Sequence, residues 1–169
     1  LSLQYSDYAL WQREHLTPEL LSDKLEYWKN KLKDIVPLEL STDYPRPKVR
    51  SIAGDSLVSV IDTELTQKIN DFSLSNGVTL YMTLLSAYNV LLSRYSSQQD
   101  ISVGASVANR PQQELESLIG FFVNTITLRS QVNPQMSFKE LLDQVKQTTL
   151  EAYEHQDVPF EKIVEAVVH

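Results

Sequence analysis

The sequence predicts an α/β protein, a two-layer sandwich with helices packed on a small mixed sheet. Some segments repeat apolar residues at the three- and four-residue spacing of a helix face, whereas others alternate polar and apolar residues as half-buried strands do. The two kinds of segment are interleaved, which is typical of helices that cover a sheet. A hydrophobic content of 42% and a charged content of 22% are values of a globular protein.

The first fifty residues are predicted to be helices followed by a connector. Residues 6–15 form a short helix, and Thr17 with Pro18 provides the cap and the first position of the next one. The apolar stripe of this second helix is Leu21, Leu25, Trp28 and Leu32. The stretch "STDYPRPKVRS" (41–51) is predicted to be extended, because its prolines disfavour a helix.

The middle of the chain is predicted to hold one strand and two helices. Alternation in "DSLVSVID" (55–62) predicts the strand. The first helix ends near Gly77, a candidate left-handed cap, and Thr79 begins the second. The stripe that we expect this second helix to bury is Tyr81, Leu84, Leu85, Tyr88, Leu91, Leu92 and Tyr95.

The remaining residues predict two more strands and two more helices. The strands are "DISVGASVA" (100–108) and "IGFFVNTITLR" (119–129). Ser137 and Glu140 form a capping box before one helix, and Pro159 stands near the first turn of the last. Three strands make a small sheet, and both ends of the chain resemble cut edges. We therefore expect part of the domain to lie outside this sequence.

Composition excludes several classes of function. A net charge of −7 argues against a nucleic-acid partner. The absence of cysteine excludes disulfides and fits a reducing cytoplasm, where we expect the protein. Apolar runs such as "LIGFFV" are far shorter than the ~20 residues that span a bilayer, so no membrane partner is expected.

Two polar residues stand out near strand ends. Asn124 shares a predicted strand face with Phe122, Ile126 and Leu128, where an amide must find hydrogen-bond partners. It either pairs with neighbouring backbone or points into a channel and positions a polar substrate group. Arg110 follows a strand, where binding residues often occur, although a loop arginine is more often only solvated.

No complete catalytic or metal-binding set is visible. His15, His155 and His169 lie far from any glycine-flanked serine, and His155 and Asp157 lack companions at metal-ligand spacing. The four glycines form no phosphate-binding loop. The structural interpretation of "HQDVPFE" is that Asp157 caps a helix whose entry Pro159 sets.

Three segments resemble, in order and approximate spacing, the later core motifs of non-ribosomal peptide synthetase condensation domains. They are "YSDYALWQ" (5–12), "IGFFVNTITLR" (119–129) and "HQDVPFE" (155–161). The stretches between them are similar too, so the resemblance covers essentially the whole chain. It implies a lobe of chloramphenicol-acetyltransferase-like fold and a role in forming peptide bonds during secondary metabolite biosynthesis.

The resemblance also implies partners. In the family, upstream and downstream peptidyl carrier domains deliver donor and acceptor aminoacyl thioesters on 4'-phosphopantetheine arms. The domain itself binds no cofactor directly. The other implied partners are the N-terminal lobe of the same domain and an adjacent adenylation domain.

The family motifs assign site residues in this chain. Asn124 matches the asparagine of a Phe-Val-Asn-Thr motif at the substrate tunnel, and Arg110 matches a segment near the lobe junction. Both are predicted to line the tunnel or position substrate, and Asn124→Ala is expected to lower condensation with little change in thermal stability. The residues predicted to be structural parts of the motifs are Tyr5, Asp7, Tyr8, Trp11, Gly120, Phe122, His155, Asp157, Pro159 and Phe160.

The chain departs from the family in one decisive respect. The catalytic signature, His-His, three residues, Asp-Gly, belongs to the other lobe, and no adjacent histidine pair occurs here. We therefore expect no catalytic residue in this chain and no activity from it alone. The expected organisation is a partial condensation domain over 1–169, with inter-lobe helices and a connector at 1–50 and the core of the C-terminal lobe at 51–169, cut at its end.

Other interpretations remain open at this point. The chain is alternatively a non-catalytic module that docks carrier proteins, or a relative of the epimerization or heterocyclization type. The intact Phe-Val-Asn-Thr stretch favours ordinary condensation over those relatives. A purely structural α/β domain is the remaining alternative.

Overall fold

The structure is a computed structural model that describes residues 3–49 and 51–167. In that part of the chain, the elements in order are α1 (Tyr5–His15), α2 (Pro18–Lys31), α3 (Thr63–Ser75), α4 (Leu80–Ser96), β1 (Asp100–Val107), β2 (Asn124–Gln131), α5 (Phe138–Glu154) and α6 (Phe160–Val167). A short 3-10 turn, Gln113–Leu115, lies between the strands. No helix of these ranges combines the length and the apolar character needed to cross a bilayer.

The two strands pair with each other to form a small antiparallel sheet. The Val132 N–H donates to the Gln99 carbonyl at 2.7 Å. Further along, a Cβ built on Gly104 would meet the Thr125 side chain at 3.7 Å. Rising residue numbers on one strand thus face falling numbers on the other, as antiparallel pairing requires. Helices accompanying a small sheet confirm the predicted α/β class.

The strand predicted at 55–62 is wrong. These residues have no regular structure up to α3, and Leu57 and Val60 are 96% and 90% exposed. Alternation alone cannot hold a strand, because its backbone N–H and C=O groups need a neighbouring strand. Among the described residues, only β1 and β2 pair, and they pair with each other. The strand predicted at 119–129 is confirmed only from Asn124 onward.

The ends of the helices follow the predicted signals. Thr17 Oγ1 accepts a hydrogen bond from the Leu20 N–H at 3.3 Å, which caps α2. Gly77 follows α3 with φ of 62°, a left-handed conformation that glycine adopts without a steric penalty. The Ser137 N–H donates to the Glu140 carboxylate at 2.7 Å, and the Glu140 N–H donates to Ser137 Oγ at 3.3 Å. This reciprocal pair is the predicted capping box.

The chain packs as two compact units. The first combines Leu1–Val36, Ser102–Arg129 and Gln147–His169, and the second combines Pro37–Ile101 and Ser130–Lys146. The buried apolar residues of the first unit are Tyr8, Trp28, Leu32, Leu115, Leu118, Phe122, Ile126, Leu128, Ala152, Val158 and Ile163. Those of the second are Val78, Met82, Leu85, Leu92, Ile101, Val132, Leu141, Leu142 and Val145.

The buried face predicted for α4 is largely wrong. Leu85 and Leu92 are buried, but the other five predicted residues, Tyr81, Leu84, Tyr88, Leu91 and Tyr95, are 42% to 72% exposed. The face that the second unit buries is Met82, Thr83, Leu85, Ser86, Asn89 and Leu92. Three of these six residues, Thr83, Ser86 and Asn89, are polar, so a prediction from the spacing of apolar residues does not find this face. Its polar groups are used in packing, since Asn89 Nδ2 donates to Ser130 Oγ at 3.1 Å.

Candidate functional site

The three family-like motifs come together in the first unit. The segment 5–12 lies on α1, 119–129 runs from an irregular loop into β2, and 155–161 leads from α5 into α6. Each motif contacts another through side chains, so the first unit holds one connected cluster. We call these residues the motif cluster.

Gly120 allows the loop to pass directly against α1. A Cβ built on Gly120 would overlap the ring of Tyr5, so a side chain at 120 displaces that ring. The Tyr5 hydroxyl donates to the Phe121 carbonyl at 2.9 Å, which fixes the loop at the same point. The predicted structural roles of Tyr5 and Gly120 therefore correspond to one contact.

Phe122 is the apolar centre of the motif cluster. It is 3% exposed and packs with Tyr8, Leu115 and Leu118. Its ring lies edge-on to Tyr5 at 5.2 Å and tilted to Tyr8 at 4.6 Å between centroids. Such aromatic pairs contribute about 0.5–1.5 kcal/mol beyond their buried area.

Asp7 and Trp11 complete the part of the motif cluster on α1. The Gln4 N–H donates to Asp7 Oδ2 at 2.8 Å, so this carboxylate satisfies a free backbone donor at the helix start. The indole of Trp11 stacks on the imidazole of His15 at 4.7 Å and 12°. Trp11 remains 37% exposed.

Arg110 binds the loop that follows it. Its Nη1 donates to the carbonyl of Leu115, to that of Leu118 at 3.0 Å and to that of Glu116 at 3.4 Å. Its guanidinium carbon lies 4.0 Å from the centroid of the Phe122 ring. One side chain thus closes the loop 110–122 on itself through backbone carbonyls and a cation–π contact.

The amide of Asn124 uses all of its hydrogen-bonding groups on the third motif. Nδ2 donates to the carbonyls of Gln156 and Val158, both at 2.7 Å. Oδ1 accepts from the Phe160 N–H at 3.1 Å. These contacts span the turn before α6 and tie it to the first residue of β2. They correspond to the first of the two predicted interpretations, pairing with neighbouring backbone.

Pro159 immediately precedes α6, near its first turn as the sequence predicts, whereas the cap predicted for Asp157 is wrong, because that carboxylate bonds Lys24 instead. The Pro159 carbonyl accepts from the Lys162 N–H at 2.9 Å and from the Ile163 N–H at 3.3 Å. Ile163 is 1% exposed, and Val164 is 39% exposed. The turn held by Asn124 therefore also sets the direction in which α6 leaves.

Asp157 forms an ion pair with α2. Lys24 Nζ lies 2.7 Å and 2.8 Å from the two carboxylate oxygens, and it also reaches the Glu154 carbonyl at 3.5 Å. Both side chains are partly shielded from solvent. The third motif is thus held from two sides, by Asn124 and by Lys24.

His155 packs on α2 beside this ion pair. Its ring stacks on Tyr27 with 3.8 Å between centroids, and Nδ1 lies 2.8 Å from the Glu151 carbonyl. The fully buried Trp28 donates from Nε1 to the His155 carbonyl at 3.2 Å. These contacts support the predicted structural role of His155.

Burial and nearby carboxylates shape the titration of the tyrosines in this region. Burial raises the pKa of Tyr27, and the charges of Glu151 and Glu154 raise it further. Burial also raises the pKa of Tyr8, with smaller effects of Tyr5 and Asp157. Both hydroxyls therefore stay protonated at neutral pH. A hydrogen bond from Lys31, followed by one from Gln147, lowers the pKa of Glu151.

Sequence reasoning missed several residues that hold the site. Lys24 and Tyr27 lie on α2, over a hundred residues before their partners in the third motif. Arg129 donates to the carbonyls of Lys31 at 3.0 Å and Lys33 at 2.7 Å, at the end of the same helix. No local spacing could indicate these contacts.

The described ranges contain no cluster of three or more histidine, aspartate or glutamate side chains that could hold a metal ion. His15 and His155 each stack on an aromatic ring, and His169 lies outside the described residues. The motif cluster is built of backbone-directed hydrogen bonds, aromatic packing and one ion pair. Chemically, this arrangement fixes the path of two loops.

Comparisons with known proteins identify the family to which the chain belongs. The family model "Condensation domain" matches residues 1–169. The chain is 47% identical over 166 residues to tyrocidine synthase 3 of Brevibacillus parabrevis, covering 98% of this chain and 3% of that protein.

Solved structures give the same result for the fold. The complex of the X-domain and OxyB from teicoplanin biosynthesis matches with a TM-score of 0.90 and 29% identity, over 99% of this chain and 38% of that one. Holo-AB3403, a four-domain nonribosomal peptide synthetase bound to AMP and glycine, matches with a TM-score of 0.84 and 28% identity, over 91% of this chain and 12% of that one.

The fold and the motif cluster define a lobe of the chloramphenicol-acetyltransferase-like class, as the sequence predicted. The chain belongs to the condensation domain family of non-ribosomal peptide synthetases. It spans only a small part of its curated relatives and less than two-fifths of the X-domain chain.

Proposed function

We propose that this chain is part of a condensation domain that forms a peptide bond between two carrier-bound aminoacyl or peptidyl thioesters. The acceptor amine attacks the donor thioester carbonyl, the carbon–sulfur bond breaks, and the donor carrier leaves as a thiol. The observation that carries the proposal is the connection of all three family motifs in one packed cluster of the first unit. A 47% identical segment of tyrocidine synthase 3 supports it.

In this proposal the residues of the chain hold the loops of the domain in place. Arg110 fixes the loop 110–122 through carbonyls, and Asn124 fixes the turn 156–160. Held loops can present backbone and side chains to a thioester in one geometry, which lowers the entropy cost of bringing amine and carbonyl together. In this proposal Asn124 and Arg110 act on the substrate tunnel indirectly, by holding the turn 156–160 and the loop 110–122 in place.

In this proposal, a group outside this sequence carries out the proton transfer. The His-His-x-x-x-Asp-Gly motif of the N-terminal lobe is expected to hold the acceptor amine or take its proton. Upstream and downstream carrier domains would supply 4'-phosphopantetheine thioesters, with an adenylation domain adjacent. The division at residue 50 and the inactivity of the chain alone stay predictions. The proposal places the reaction in the cytoplasm, as the cysteine-free sequence led us to expect.

The test uses the parent polypeptide with both carriers loaded with donor and acceptor amino acids. Mass spectrometry of the acceptor carrier should show a mass gain equal to the donor acyl group less the one hydrogen that it replaces on the acceptor amine. Replacement of the second histidine of the upstream motif should abolish this gain. A wild-type parent that transfers nothing, with both carriers verified as loaded, would contradict the proposal.

A second candidate is a non-catalytic docking module. It is favoured by one observation, the similarity to the X-domain, whose solved structure is a complex with another protein, OxyB. The same assay separates the two candidates when carrier binding is measured in parallel. Carriers that bind without acyl transfer would indicate docking. An epimerization-type relative would instead change the configuration of the donor residue without lengthening the chain.

A further inference from the structure

One face of α4, in the second unit, is apolar and open to solvent. It lies beside the face that this helix buries. Of the 17 residues of α4, only Arg94 is charged. The side chains of the open face are 42% to 72% exposed, and they belong to Tyr81, Leu84, Tyr88, Leu91 and Tyr95. We call this surface the α4 face.

The spacing of the α4 face is typical of a helix that packs against another helix. Its five residues follow one another at intervals of three, four, three and four. This repeat places apolar side chains along the seam between two packed helices. A helix that met water on this side would carry polar residues there instead. The sequence of α4 therefore indicates a partner for this face.

Two other sides of α4 are already occupied. Asn89 Nδ2 donates to Ser130 Oγ of β2 at 3.1 Å, and Thr83 Oγ1 lies 2.7 Å from Ser73 Oγ of α3. The α4 face is a third side. In a two-layer fold the helices that cover a sheet lie next to one another, so the position beside α4 that α3 does not take fits one more helix.

A cavity of about 360 Å³ extends the α4 face toward α3 and the start of α5. Leu84 and Ala87 line it on α4, and the rings of Phe72 and Phe138, with centroids 6.0 Å apart, line it on the other two helices. The ammonium group of Lys68, on the same wall, lies 2.6 Å from a carboxylate of α3 and is thus neutralised. The cavity is therefore suited to an apolar side chain of a partner.

The segment 55–62 of the same unit is apolar on both sides and also open. Leu57 and Ile61 alternate with Val58 and Val60, and the four side chains are 53% to 96% exposed. Strands with apolar residues on both faces are typical of a sheet that is covered on both sides. Among the described residues only β1 and β2 pair, so 55–62 has no strand beside it. The second unit thus has a place for a strand as well as for a helix.

A domain of this fold contains enough further sequence to supply both. This chain covers 38% of the X-domain chain that it matches, so more than half of that chain lies outside the match. Surfaces as apolar as a protein core are typical of permanent contacts, whereas transient partners bind more polar surfaces. The domain itself is therefore the partner that this chemistry favours.

We propose that the part of the condensation domain outside residues 1–169 completes the second unit, with one strand paired to 55–62 and one helix packed on the α4 face. The helix carries apolar residues at the same three- and four-residue spacing, and one of them enters the cavity beside Leu84. A carboxylate of this helix lies near Arg94, the one charge of α4. The inference rests on membership of the family and goes beyond the proposed function, because these contacts need no acyl transfer.

The first test measures hydrogen–deuterium exchange in the parent polypeptide. A strand paired to 55–62 should slow the exchange of its amides by about a hundredfold or more relative to those of 41–49. The segment 41–49 is the matched control, because it is an exposed connector without the apolar alternation. Exchange of 55–62 as fast as that of 41–49 would overturn the proposal.

The second test identifies what covers the α4 face. In the parent polypeptide, Tyr88→p-benzoylphenylalanine places a photo-reactive ring at the middle of the face while keeping an aromatic side chain. Irradiation and mass spectrometry should find a cross-link to a peptide of the same domain outside residues 1–169. Tyr44→p-benzoylphenylalanine, at an 83% exposed position of the connector, is the matched control and should not form this cross-link.

A mixture of isotope-labelled and unlabelled parent shows to which molecule the cross-linked peptide belongs. A cross-link between labelled and unlabelled chains would identify a second copy, and one to a carrier domain would identify a transient partner. Either result would overturn the proposal, as would the absence of a cross-link in a folded variant.

Melting curves precede irradiation, and Tyr81→p-benzoylphenylalanine, on the same face, replaces the Tyr88 variant if that variant is unfolded. Neither test needs loaded carriers. A failure of these contacts is therefore distinguishable from a failure of peptide-bond formation.

Discussion

The side chain of Asn124 donates to the carbonyl of Val158 at 2.7 Å, which joins the first residue of β2 to the turn before α6. Val158 is fully buried, so its carbonyl lies where water is scarce. The same amide reaches Gln156 and Phe160. One polar residue on an apolar strand thus fixes a turn that is thirty-four residues away in the sequence.

Asn124→Ala should lower the free energy of unfolding by about 1–3 kcal/mol, because it removes three hydrogen bonds and leaves backbone groups of the turn unpaired. Asn124→Asp should cost more, since it places a carboxylate oxygen against two carbonyls. Urea unfolding measures both. Asn30→Ala, on the exposed side of α2, is the control and should change stability little.

This expectation revises the one drawn from the sequence, which gave Asn124→Ala little effect on stability. A wild-type unfolding curve for Asn124→Ala, together with lost condensation in the parent enzyme, would instead favour an amide that acts directly on substrate. Equal stability of the alanine and aspartate variants would count against the observed hydrogen bonds.

Gly120→Ala should destabilise the protein by about 1–3 kcal/mol, because its Cβ overlaps the Tyr5 ring and forces α1 or the loop to shift. Gly54→Ala is the matched control, since nothing lies within 4 Å of a Cβ there. Thermal melts compare the two. In a Tyr5→Ser background the effect of Gly120→Ala should largely disappear, and an undiminished effect would exclude the ring as its cause.

Arg110→Lys should loosen the loop 110–122, because an ammonium group cannot combine the fan of carbonyl bonds with stacking on Phe122. Hydrogen–deuterium exchange of that segment should become faster by about tenfold, the equivalent of one lost hydrogen bond. Arg94→Lys, on the exposed last turn of α4, is the control. Unchanged exchange in Arg110→Lys would mean that other contacts hold the loop.

Acid should weaken the link between α2 and α5. Hydrogen bonds from Lys31 and Gln147 hold the pKa of Glu151 below its usual value of 4.5 in the folded protein. The unfolded chain therefore takes up the proton first as the pH falls. The stabilising effect of Glu151 is complete above its unfolded pKa and is lost as the pH falls through the lower folded pKa.

The difference in melting temperature between the unaltered protein and Glu151→Gln should therefore be largest near neutral pH and shrink toward pH 3. Glu14→Gln, an exposed change of the same charge on α1, controls for net charge. Lys31 Nζ lies 2.9 Å from Glu151 in a partly exposed pair, so the effect should be modest and decrease with salt. A difference that grows on acidification would contradict the assigned direction.

The local rules of helix formation were enough to place most helices. Thr17, Gly77 and the Ser137–Glu140 pair act within a few residues of themselves, so their sequence context contains the whole interaction. The buried face of β2 was also predictable, since Ile126 and Leu128 are buried and alternate with half-buried neighbours. The family resemblance rested on ordered motifs, and a match over the full chain confirms it.

The strand at 55–62 and the face of α4 could not be predicted for a common reason. Alternation and apolar spacing record what a segment is able to bury, whereas burial depends on which neighbour is present. Within the described residues, 55–62 has no strand beside it, and α4 packs through Ser86 and Asn89. Asn124 shows the same division: its sequence context indicates that it must be paired, but only the fold brings Gln156, Val158 and Phe160 to it. The sequence by itself determined the family, the helix ends and the need for a partner at Asn124. Tertiary structure alone decided the partners, because hydrogen bonds and packing between distant segments leave no local periodicity to read.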